Sequence, residues 1–389
     1  MTQIKWNWQK ADWTKFTYNI NVIAELERVF LKQSGVSLGV VRHLSGEDQD
    51  QLIVELVSNE ALKTSEIEGE FLDRESLQSS IRREFGLGLQ NHFHAKPAEA
   101  GIAEMMKDIF TNYAAPLTKE TLCDWHQMLM SGSKNIEIGC YRTYKEGMQI
   151  VSGRYDKPKV HFEAPPSTDV PKEMEKFLQW FNASAPAGQE PLTPLVMAGI
   201  AHIYFVSIHP FEDGNGRIGR GIVKKTLSQN MGQPMIIALS STINDKKRDY
   251  YSTLARQCQE NDITEWLVYF AKTIIDAQEQ TIRQVDLIIT KAKFFDAHKE
   301  NLNPRQLKVI NRIFQEGRRG FEGGFSAKNY QAIAKTPAAT ATRDLQDLLI
   351  KGIFSKTGQL KSTRYTLDLS PFEPSPPGWR GAGKEKKKV

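Results

Sequence analysis

One short run of the chain brings together the side chains that phosphate chemistry requires. It extends from His209 to Arg220 and reads His-Pro-Phe-Glu-Asp-Gly-Asn-Gly-Arg-Ile-Gly-Arg. Its glycines let the backbone approach an anion closely, and N–H groups that open a helix attract negative charge. Arg217 and Arg220 lie three apart, so both can reach one polyphosphate. The sequence therefore predicts a phosphate-binding loop before a helix that we expect from Ile218 to about Gln229.

The same run supplies a base and a ligand for a cation. A histidine is well suited to deprotonate a hydroxyl nucleophile near neutral pH, and His209 is the candidate. Asp213 can hold a hard cation, Mg²⁺ or Mn²⁺, against phosphate oxygens. The alternative is a tight turn without chemistry, because Pro210 and several glycines are also typical of ordinary loops.

The run resembles the signature of the Fic family, His-x-Phe-x-Asp/Glu-Gly-Asn-Gly-Arg-x-x-Arg, at every specified position. The resemblance implies transfer of a nucleoside monophosphate, usually AMP from ATP, to a Ser, Thr or Tyr hydroxyl of a target protein. It implies that His209 is the catalytic base, that Asp213 coordinates the metal and that Phe211 fixes the loop from the core. The ATP and phosphate contacts expected on this basis are Gly214, Asn215, Gly216, Arg217, Ile218, Gly219 and Arg220.

A second motif lies upstream of this run. The spacing Thr64-x-x-x-Glu68-Gly69 resembles the inhibitory helix Ser/Thr-x-x-x-Glu-Gly/Asn of many Fic proteins, and Gly69 can end that helix. The resemblance implies that Glu68 pairs with Arg220 and occupies the space of the γ-phosphate, so that ATP binds unproductively. Family members with this glutamate also remove AMP from modified targets. The sequence does not decide whether addition or removal of AMP dominates. A solvated acidic helix end is the alternative.

Two further segments resemble parts of a Fic protein around this core. Within Gly139–Pro166, β-prone runs flank the turn-like stretch Ser152–Pro158, which predicts a hairpin. The hairpin resembles the flap that aligns a target segment by main-chain hydrogen bonds, with a plain surface hairpin as the alternative. Tyr250 and Tyr251 resemble the aromatic residues near the adenine, with core packing as the alternative for either.

The stretch 302–369 predicts a separate module of three helices and two strands. The dipeptide Asn303-Pro304 can cap and open the first helix, and the third helix covers 342–350. With strands at 353–354 and 365–367, the pattern resembles a winged helix-turn-helix. A winged helix used for protein contact or as a spacer is the alternative. The basic residues that can contact DNA phosphates are Arg343, Lys356, Lys361 and Arg364.

These patterns divide the chain into five segments. Residues 1–97 are expected to form an N-terminal helical domain that includes the inhibitory helix at about 57–69. The start of this domain, around Trp6, resembles a small domain found ahead of bacterial Fic cores. The other segments are the Fic catalytic core at 98–285, a helical connector at 286–301, the winged helix-turn-helix at 302–369 and a disordered basic tail at 370–389. The predicted fold class is mainly α, an all-helical Fic core with a β-hairpin flap plus a C-terminal winged helix-turn-helix domain.

Composition excludes several classes of protein. The chain has 389 residues, is 40% hydrophobic and 25% charged, and carries a formal net charge of +5, values typical of globular proteins and too modest to argue for nucleic acid. No run approaches ~18 apolar residues, so we expect no membrane span. The three cysteines are too few for a disulfide framework. Because no signal-peptide core follows Met1, we expect a cytoplasmic location.

Two functions from different classes follow. In the first, the protein is an autoinhibited adenylyltransferase that uses ATP and Mg²⁺ to modify a target protein of unknown identity. In the second, it is a DNA-binding transcriptional regulator, which contacts DNA through residues 302–369 and senses nucleotide with its Fic core. The intact set His209, Asp213, Asn215 and Arg220 favours the first. A homodimer that forms through core helices is compatible with either.

Overall fold

The computed structural model of the protein describes residues 5–42, 46–87, 96–144, 147–154, 157–316, 321 and 324–372. Helices dominate this part of the chain, and the extended segments form two small sheets, which confirms the predicted mainly α fold class. The helices are α1 (Ile20–Arg42), α2 (Gly46–Ile67), α3 (Arg74–Glu84), α4 (Pro97–Thr111), α5 (Lys119–Leu129), α6 (Val170–Ser184), α7 (Pro194–Ile208), α8 (Asn215–Met231), α9 (Leu239–Asp245), α10 (Lys247–Gln257), α11 (Thr264–His298), α12 (Pro304–Glu316), α13 (Ala327–Ala334) and α14 (Ala338–Ile350). The strands are β1 (Gln149–Arg154), β2 (Lys157–Glu163), β3 (Phe354–Thr357) and β4 (Arg364–Leu367).

Some predicted features lie outside the described residues. They are residues 155–156 of the turn-like stretch Ser152–Pro158, the side chain of Lys361 and the tail from residue 373 onward. The rest of that stretch belongs to β1 and β2, so the strands extend further than the sequence predicts. The contacts of the chain divide it into two compact units, Met1–Ile282 and Arg283–Val389. The division falls within α11, close to residue 285, where we expect the catalytic core to end.

Helix α7 is the centre of the first unit. Every side chain from Leu195 to Ile208 is buried, as expected for a helix that is apolar on all its faces. At its N-terminus, Glu27 of α1 accepts hydrogen bonds from the backbone N–H of Leu195 at 2.8 Å and of Val196 at 3.2 Å. A carboxylate in this position stabilises a helix by supplying acceptors to its unpaired N–H groups. The helix that leads into the loop is therefore held firmly at its start.

Helix α8 begins earlier than the sequence predicts. Its first residue is Asn215 rather than Ile218, because Gly214 takes the left-handed conformation (φ 80°) and turns the chain directly into the helix. The helix ends at Met231, and the next residue, Gly232, is also left-handed, as is common after a C-terminus. The early start places Gly216 and Arg217 in the first turn, so the unpaired N–H groups of the helix belong to the candidate loop itself.

Helix α2 is joined to the core by a buried ion pair. Glu60 lies 3.0 Å from Nζ of Lys224 on α8 and accepts hydrogen bonds from the N–H of Ser240, at the start of α9. Both partners of the ion pair are almost fully buried. Removing one partner of such a pair leaves an uncompensated charge, which is strongly destabilising. The predicted inhibitory helix is therefore an integral part of the first unit.

The predicted hairpin is present between α5 and α6. β1 and β2 pair antiparallel, with Gln149 opposite Glu163 and Arg154 opposite Lys157, and the register shifts between Ile150 and Val151. The side chains of Ile150 and Val151 are 42% and 50% exposed. Among the described residues neither strand pairs with a third one, so the outer edge of the ribbon can accept a further strand.

Beyond α11, the described part of the second unit has the order of helices and strands that the sequence predicts, but α14 begins at Ala338 rather than at 342 and β3 extends to Thr357. α12, α13 and α14 precede the antiparallel pair of β3 and β4. Asn303 caps α12, since its Oδ1 accepts the N–H groups of Arg305 and Gln306 at 3.0 Å each. Asp344 of α14 is the polar centre of the unit and accepts hydrogen bonds from Arg305 at 2.8 Å and from the hydroxyl of Tyr330 at 3.0 Å. The winged helix-turn-helix assignment of this unit stays a prediction.

None of the helices in the described part of the chain combines the length and the apolar character that a membrane crossing requires.

Candidate functional site

The candidate site is the loop that joins α7 to α8. α7 ends at Ile208, and the next residue, His209, has φ 52° and ψ 61°. This left-handed conformation costs a residue with a side chain roughly 1–2 kcal/mol. Contacts around His209 must offset that cost. They include Arg142, whose Nε donates to the carbonyl oxygen of His209 at 2.8 Å.

The imidazole of His209 has the protonation state of a base. Its Nδ1 lies 3.3 Å from the carbonyl oxygen of Val206, and because a carbonyl oxygen only accepts hydrogen bonds, the ring proton is on Nδ1. Nε2 keeps its lone pair. Burial lowers the pKa of His209 to about 4, so the ring is neutral at pH 7 and Nε2 can take up a proton.

The loop is closed by side chains of its own run. The Asn215 amide donates to the carbonyl oxygen of Phe211 at 2.7 Å and accepts from the N–H of Phe211 at 3.0 Å. Both functional groups of Asn215 thus hold the loop together, each through one hydrogen bond. The Phe211 ring is fully buried and stacks on His126 with ring centroids 4.3 Å apart. Burial of Phe211 confirms that it fixes the loop from the core.

The start of α8 forms an anion site that a carboxylate of the same chain occupies. Glu68 follows directly after the end of α2, and a Cβ atom at Gly216 would stand 2.1 Å from Oε1 of Glu68. Only a glycine leaves room for an oxyanion at this point. The unpaired N–H groups and the dipole of a helix N-terminus favour phosphate and carboxylate oxygens alike. Glu68 therefore stands where phosphate oxygens of a nucleotide are expected.

Arg220, in the second turn of α8, binds the same carboxylate. Its side chain is 1% exposed. Nη2 donates to Oε1 of Glu68 at 2.8 Å and to the carbonyl oxygen of Thr64 at 2.8 Å, while Nε donates to Oγ1 of Thr64 at 2.7 Å. The expected pair of Glu68 and Arg220 is present. Thr64 holds the guanidinium by contacts that do not depend on Glu68.

Arg217 is paired with a second carboxylate of the same segment. Its buried guanidinium donates from Nη1 to Glu70 at 2.7 Å, and Nη2 lies 3.4 Å from Asp213. Glu68 and Glu70 flank Gly69, whose φ of 84° reverses the chain after α2. The two arginines that we expect to bind phosphates are thus each neutralised by one of these glutamates.

Asp213 fits the role of a metal ligand that shares its cation with phosphates. Its side chain is 62% exposed, and Oδ1 accepts the N–H of Gly214 at 2.6 Å. Mg²⁺ commonly takes one or two protein carboxylates and completes its shell with water and substrate phosphates. Among the residues described, no group of three or more His, Cys, Asp and Glu could hold a metal without such help. The exposed carboxylate of Asp213, next to the anion site, fits a cation that is shared between the protein and substrate phosphates.

Three of the other predicted contacts, Ile218, Gly219 and Tyr250, lie in the core in this structure, and their contact with ATP stays a prediction. Ile218 is fully buried in the core, and a Cβ at Gly219 would lie 3.2 Å from the His202 ring. Tyr250 is 2% exposed and its hydroxyl lies 2.6 Å from Nε2 of His202. A nucleobase needs an exposed ring face for stacking, so the core-packing alternative describes Tyr250. Tyr251 is 39% exposed with its hydroxyl 3.5 Å from Oε2 of Glu68, and it stays a candidate for the base.

The hairpin adjoins the candidate base. Phe162 of β2 is buried, and its ring centroid lies 6.3 Å from that of His209. The N-terminal segment contacts the end of the same strand, because Nε1 of Trp8 donates to the carbonyl oxygen of Glu163 at 2.7 Å. Phe162 thus brings the end of β2 next to the loop that contains His209.

Sequence reasoning missed two residues of this site. Glu70 is adjacent in sequence to the recognised motif, and the alternation Glu68-Gly69-Glu70 was a signal that the motif contains a second carboxylate. Arg142 lies in the run before the hairpin, but no spacing rule connects it to His209. Its burial among carbonyl oxygens emerges only when α7 and the hairpin are brought together.

The second unit presents basic side chains without a site that identifies their ligand. Arg343 of α14 and Lys356 of β3 are exposed, whereas Arg364 is half-buried. Exposed cations are what phosphate contacts require, but they do not identify the ligand. Binding of DNA by this unit stays a prediction.

Two segments of the chain match known protein families. Residues 116–227 match the Fic/DOC family, and residues 6–87 match a domain of unknown function, DUF4172. The first match includes α5, the hairpin, α7 and the loop that contains His209. The second ends three residues after α3 and includes Glu68 and Glu70.

Several characterised proteins are similar to parts of the chain. The chain is 32% identical to protein adenylyltransferase Fic of Nematostella vectensis over 157 residues. This stretch is 40% of this chain and 32% of that protein. Over 236 residues the chain is 20% identical to protein adenylyltransferase fic-1 of Caenorhabditis elegans, or 60% of this chain and 42% of that protein. The chain thus spans only about a third to two fifths of these relatives.

A solved structure shares the fold over most of the chain. The crystal structure of a Fic family protein from Desulfovibrio desulfuricans has a TM-score of 0.52 and 21% sequence identity, covering 91% of this chain and 97% of that one. At this identity the similarity concerns the fold alone.

Proposed function

We propose that this chain, in which residues 116–227 form a Fic domain, transfers AMP from ATP to a hydroxyl side chain of a target protein. One observation carries the proposal. The imidazole of His209, whose Nδ1 lies 3.3 Å from the carbonyl oxygen of Val206, and the oxyanion site at Gly216 and Arg220 belong to one run of the chain, and a carboxylate already occupies the oxyanion site. Binding an anion beside a base is the arrangement that nucleotidyl transfer requires.

The transfer uses His209 as general base. Nε2 takes the proton of a Ser, Thr or Tyr hydroxyl, whose oxygen forms a bond to the α-phosphorus while the bond from this phosphorus to the bridging oxygen of the β-phosphate breaks. Pyrophosphate leaves with the bonding electrons. The N–H groups that open α8, together with Arg217 and Arg220, hold the charge of the leaving phosphates. Asp213 would hold a cation, Mg²⁺ or Mn²⁺, which would further neutralise that charge.

Glu68 acts as a reversible brake in this scheme. Its carboxylate satisfies Arg220 and covers Gly216, so the γ-phosphate of ATP and Glu68 compete for one place. ATP that binds beside Glu68 is displaced from the position in which the α-phosphorus faces His209. A freed Glu68 is also an acceptor that can orient a water, so removal of AMP from modified protein is a second activity that the assay below includes.

The hairpin aligns the target. A segment in extended conformation adds to the free edge of β1 or β2 by main-chain hydrogen bonds, which depend little on its sequence. The exposed side chains of Ile150 and Val151 provide apolar contacts for such a segment. This mode places the target hydroxyl near His209 without a dedicated side-chain pocket.

The test is incubation of the protein with labelled ATP and Mg²⁺, with CTP, GTP and UTP in parallel. The wild type is compared with His209→Ala and Glu68→Gly, and label in protein is measured by gel and mass spectrometry. We expect His209→Ala to lose about 10²–10⁴-fold in rate, the usual contribution of a general base, with unchanged ATP affinity by calorimetry. Loss of ATP binding together with turnover would show that His209 is structural. Removal of AMP is assayed on protein labelled by Glu68→Gly and then mixed with the wild type.

A further inference from the structure

One buried cation binds the backbone on both sides of the candidate base. Arg142 is 1% exposed and lies between α5 and the hairpin. Its Nε donates to the carbonyl oxygen of His209 at 2.8 Å, and Nη2 donates to that of Ile208 at 3.4 Å. Its backbone N–H donates to the carbonyl oxygen of Pro210 at 2.9 Å. Three successive carbonyl groups of the loop thus depend on one residue.

We propose that Arg142 is a positioning residue for the base, holding His209 in the left-handed conformation that directs Nε2 towards the target hydroxyl. The inference rests on the proposed AMP transfer. In it, Arg142 acts on the position of His209 and does not contact the substrate. The last carbonyl groups of a helix have no partners within it and attract cations. A planar guanidinium can serve several of them at once, which a lysine cannot do.

Arg142 also connects the base to the hairpin. Its Nη2 donates at 2.6 Å to the carbonyl oxygen of Pro165, the second residue after the end of β2. The guanidinium therefore fixes the distance between the end of the hairpin and the peptide group of His209. Because the hairpin is the proposed target-binding edge, the same contact sets the target hydroxyl against Nε2.

The kinetic test compares two variants of Arg142 with a matched control, all in the Glu68→Gly background. The control is Lys225→Gln, which removes another buried cation that binds carbonyl groups at a helix end, those of Asn112 at 2.7 Å and Tyr113 at 3.1 Å. We expect Arg142→Gln to lower kcat about 10²-fold, the effect of a displaced reacting group, with unchanged Kd for ATP. Arg142→Lys should recover part of kcat. Lys225→Gln should lower the melting temperature and leave kcat unchanged.

Two results of this comparison would overturn the proposal. One is an unchanged kcat in Arg142→Gln. The other is a loss of kcat in Lys225→Gln of the same size at an equal fall in melting temperature, which would assign both effects to a loosened fold.

A second measurement does not depend on catalysis. The ¹⁵N imidazole shifts of His209, assigned by difference from His209→Asn, report its tautomer and titration. Around this ring, burial and the charge of Arg142 lower the pKa, whereas the carbonyl oxygen of Val206, Glu68 and Asp213 raise it. Arg142→Gln should therefore raise the pKa of His209 above its value with Arg142 and mix the two tautomers.

The two measurements separate the inference from the function on which it rests. If the shifts change as expected but none of the proteins transfers AMP, the proposed function is wrong and the positioning contact stands. If AMP is transferred while the shifts of His209 are the same with and without Arg142, the positioning proposal is wrong and the function stands.

Discussion

Replacing Glu68 with glycine should release the protein from its own brake. The substitution removes one charge-assisted hydrogen bond, from Nη2 of Arg220 to Oε1 at 2.8 Å, which is worth about 1.5–3 kcal/mol. The carboxylate also leaves a helix N-terminus, a contact worth about 0.3–1 kcal/mol. Together these contributions are about 2–4 kcal/mol, which corresponds to about 30- to 700-fold in the fraction of productive complex.

The structure predicts that this release leaves the rest of the site in place. Thr64 continues to hold Arg220 by two hydrogen bonds of 2.7 and 2.8 Å. The helix is not interrupted, since α2 ends at Ile67. The gain should therefore appear as a higher rate of AMP incorporation. The free energy of unfolding should fall, because the buried Arg220 loses its counter-charge.

The assay is the initial rate of labelled AMP incorporation at saturating ATP and fixed target concentration. The matched control is Glu66→Gln, which removes a carboxylate from the same helix end where it pairs with Lys63 at 2.6 Å and not with Arg220. An unchanged rate in Glu68→Gly, or an equal increase in the control, would refute the brake.

Further predictions concern the second carboxylate, the buried ion pair and the histidines. Glu70→Gln frees an arginine of the phosphate site from a 2.7 Å pair, so it should add a severalfold gain to the brake-released variant; a lower rate would contradict this. Glu60→Ala should lower the free energy of unfolding in urea by about 3–5 kcal/mol, because Lys224 is left buried without its counter-charge; a change below about 1 kcal/mol would mean that water compensates. Burial lowers the pKa of His126 to about 4 and of His202 to about 3, whereas both bind protons in the unfolded chain below about pH 6.5. Stability should therefore fall from pH 6.5 towards 4, on the order of 3 kcal/mol per histidine, and a flat profile of unfolding free energy against pH would contradict this.

The elements around the site were predictable where a local pattern decides them. Leu195–Ile208 is apolar on every face, and such a helix has to be buried. The cap at Asn303 likewise follows from residue type, because a side-chain oxygen before a proline-initiated helix accepts the first N–H groups. The loop from His209 to Arg220 carries its chemistry in consecutive residues, so its role could be inferred without coordinates.

Features that depend on packing between distant segments could not be predicted in the same way. The start of α8 at Asn215 follows from the left-handed Gly214, a conformation that the run of glycines leaves undecided. Tyr250 and Tyr251 are adjacent in sequence, yet one is in the core and the other is exposed, because α10 is buried along one face only. The position of Arg142 depends on the hairpin and α7 meeting, which involves residues far apart in the chain.

The central claim is that a nucleotide binds in the loop beside His209. A crystal structure of Glu68→Gly with a non-hydrolysable ATP analogue and Mg²⁺ tests it most directly. We expect the phosphates at the N-terminus of α8, the terminal phosphate on Arg220, the cation on Asp213 and the α-phosphorus facing Nε2 of His209. A triphosphate bound elsewhere, or one whose α-phosphorus faces away from His209, would contradict it.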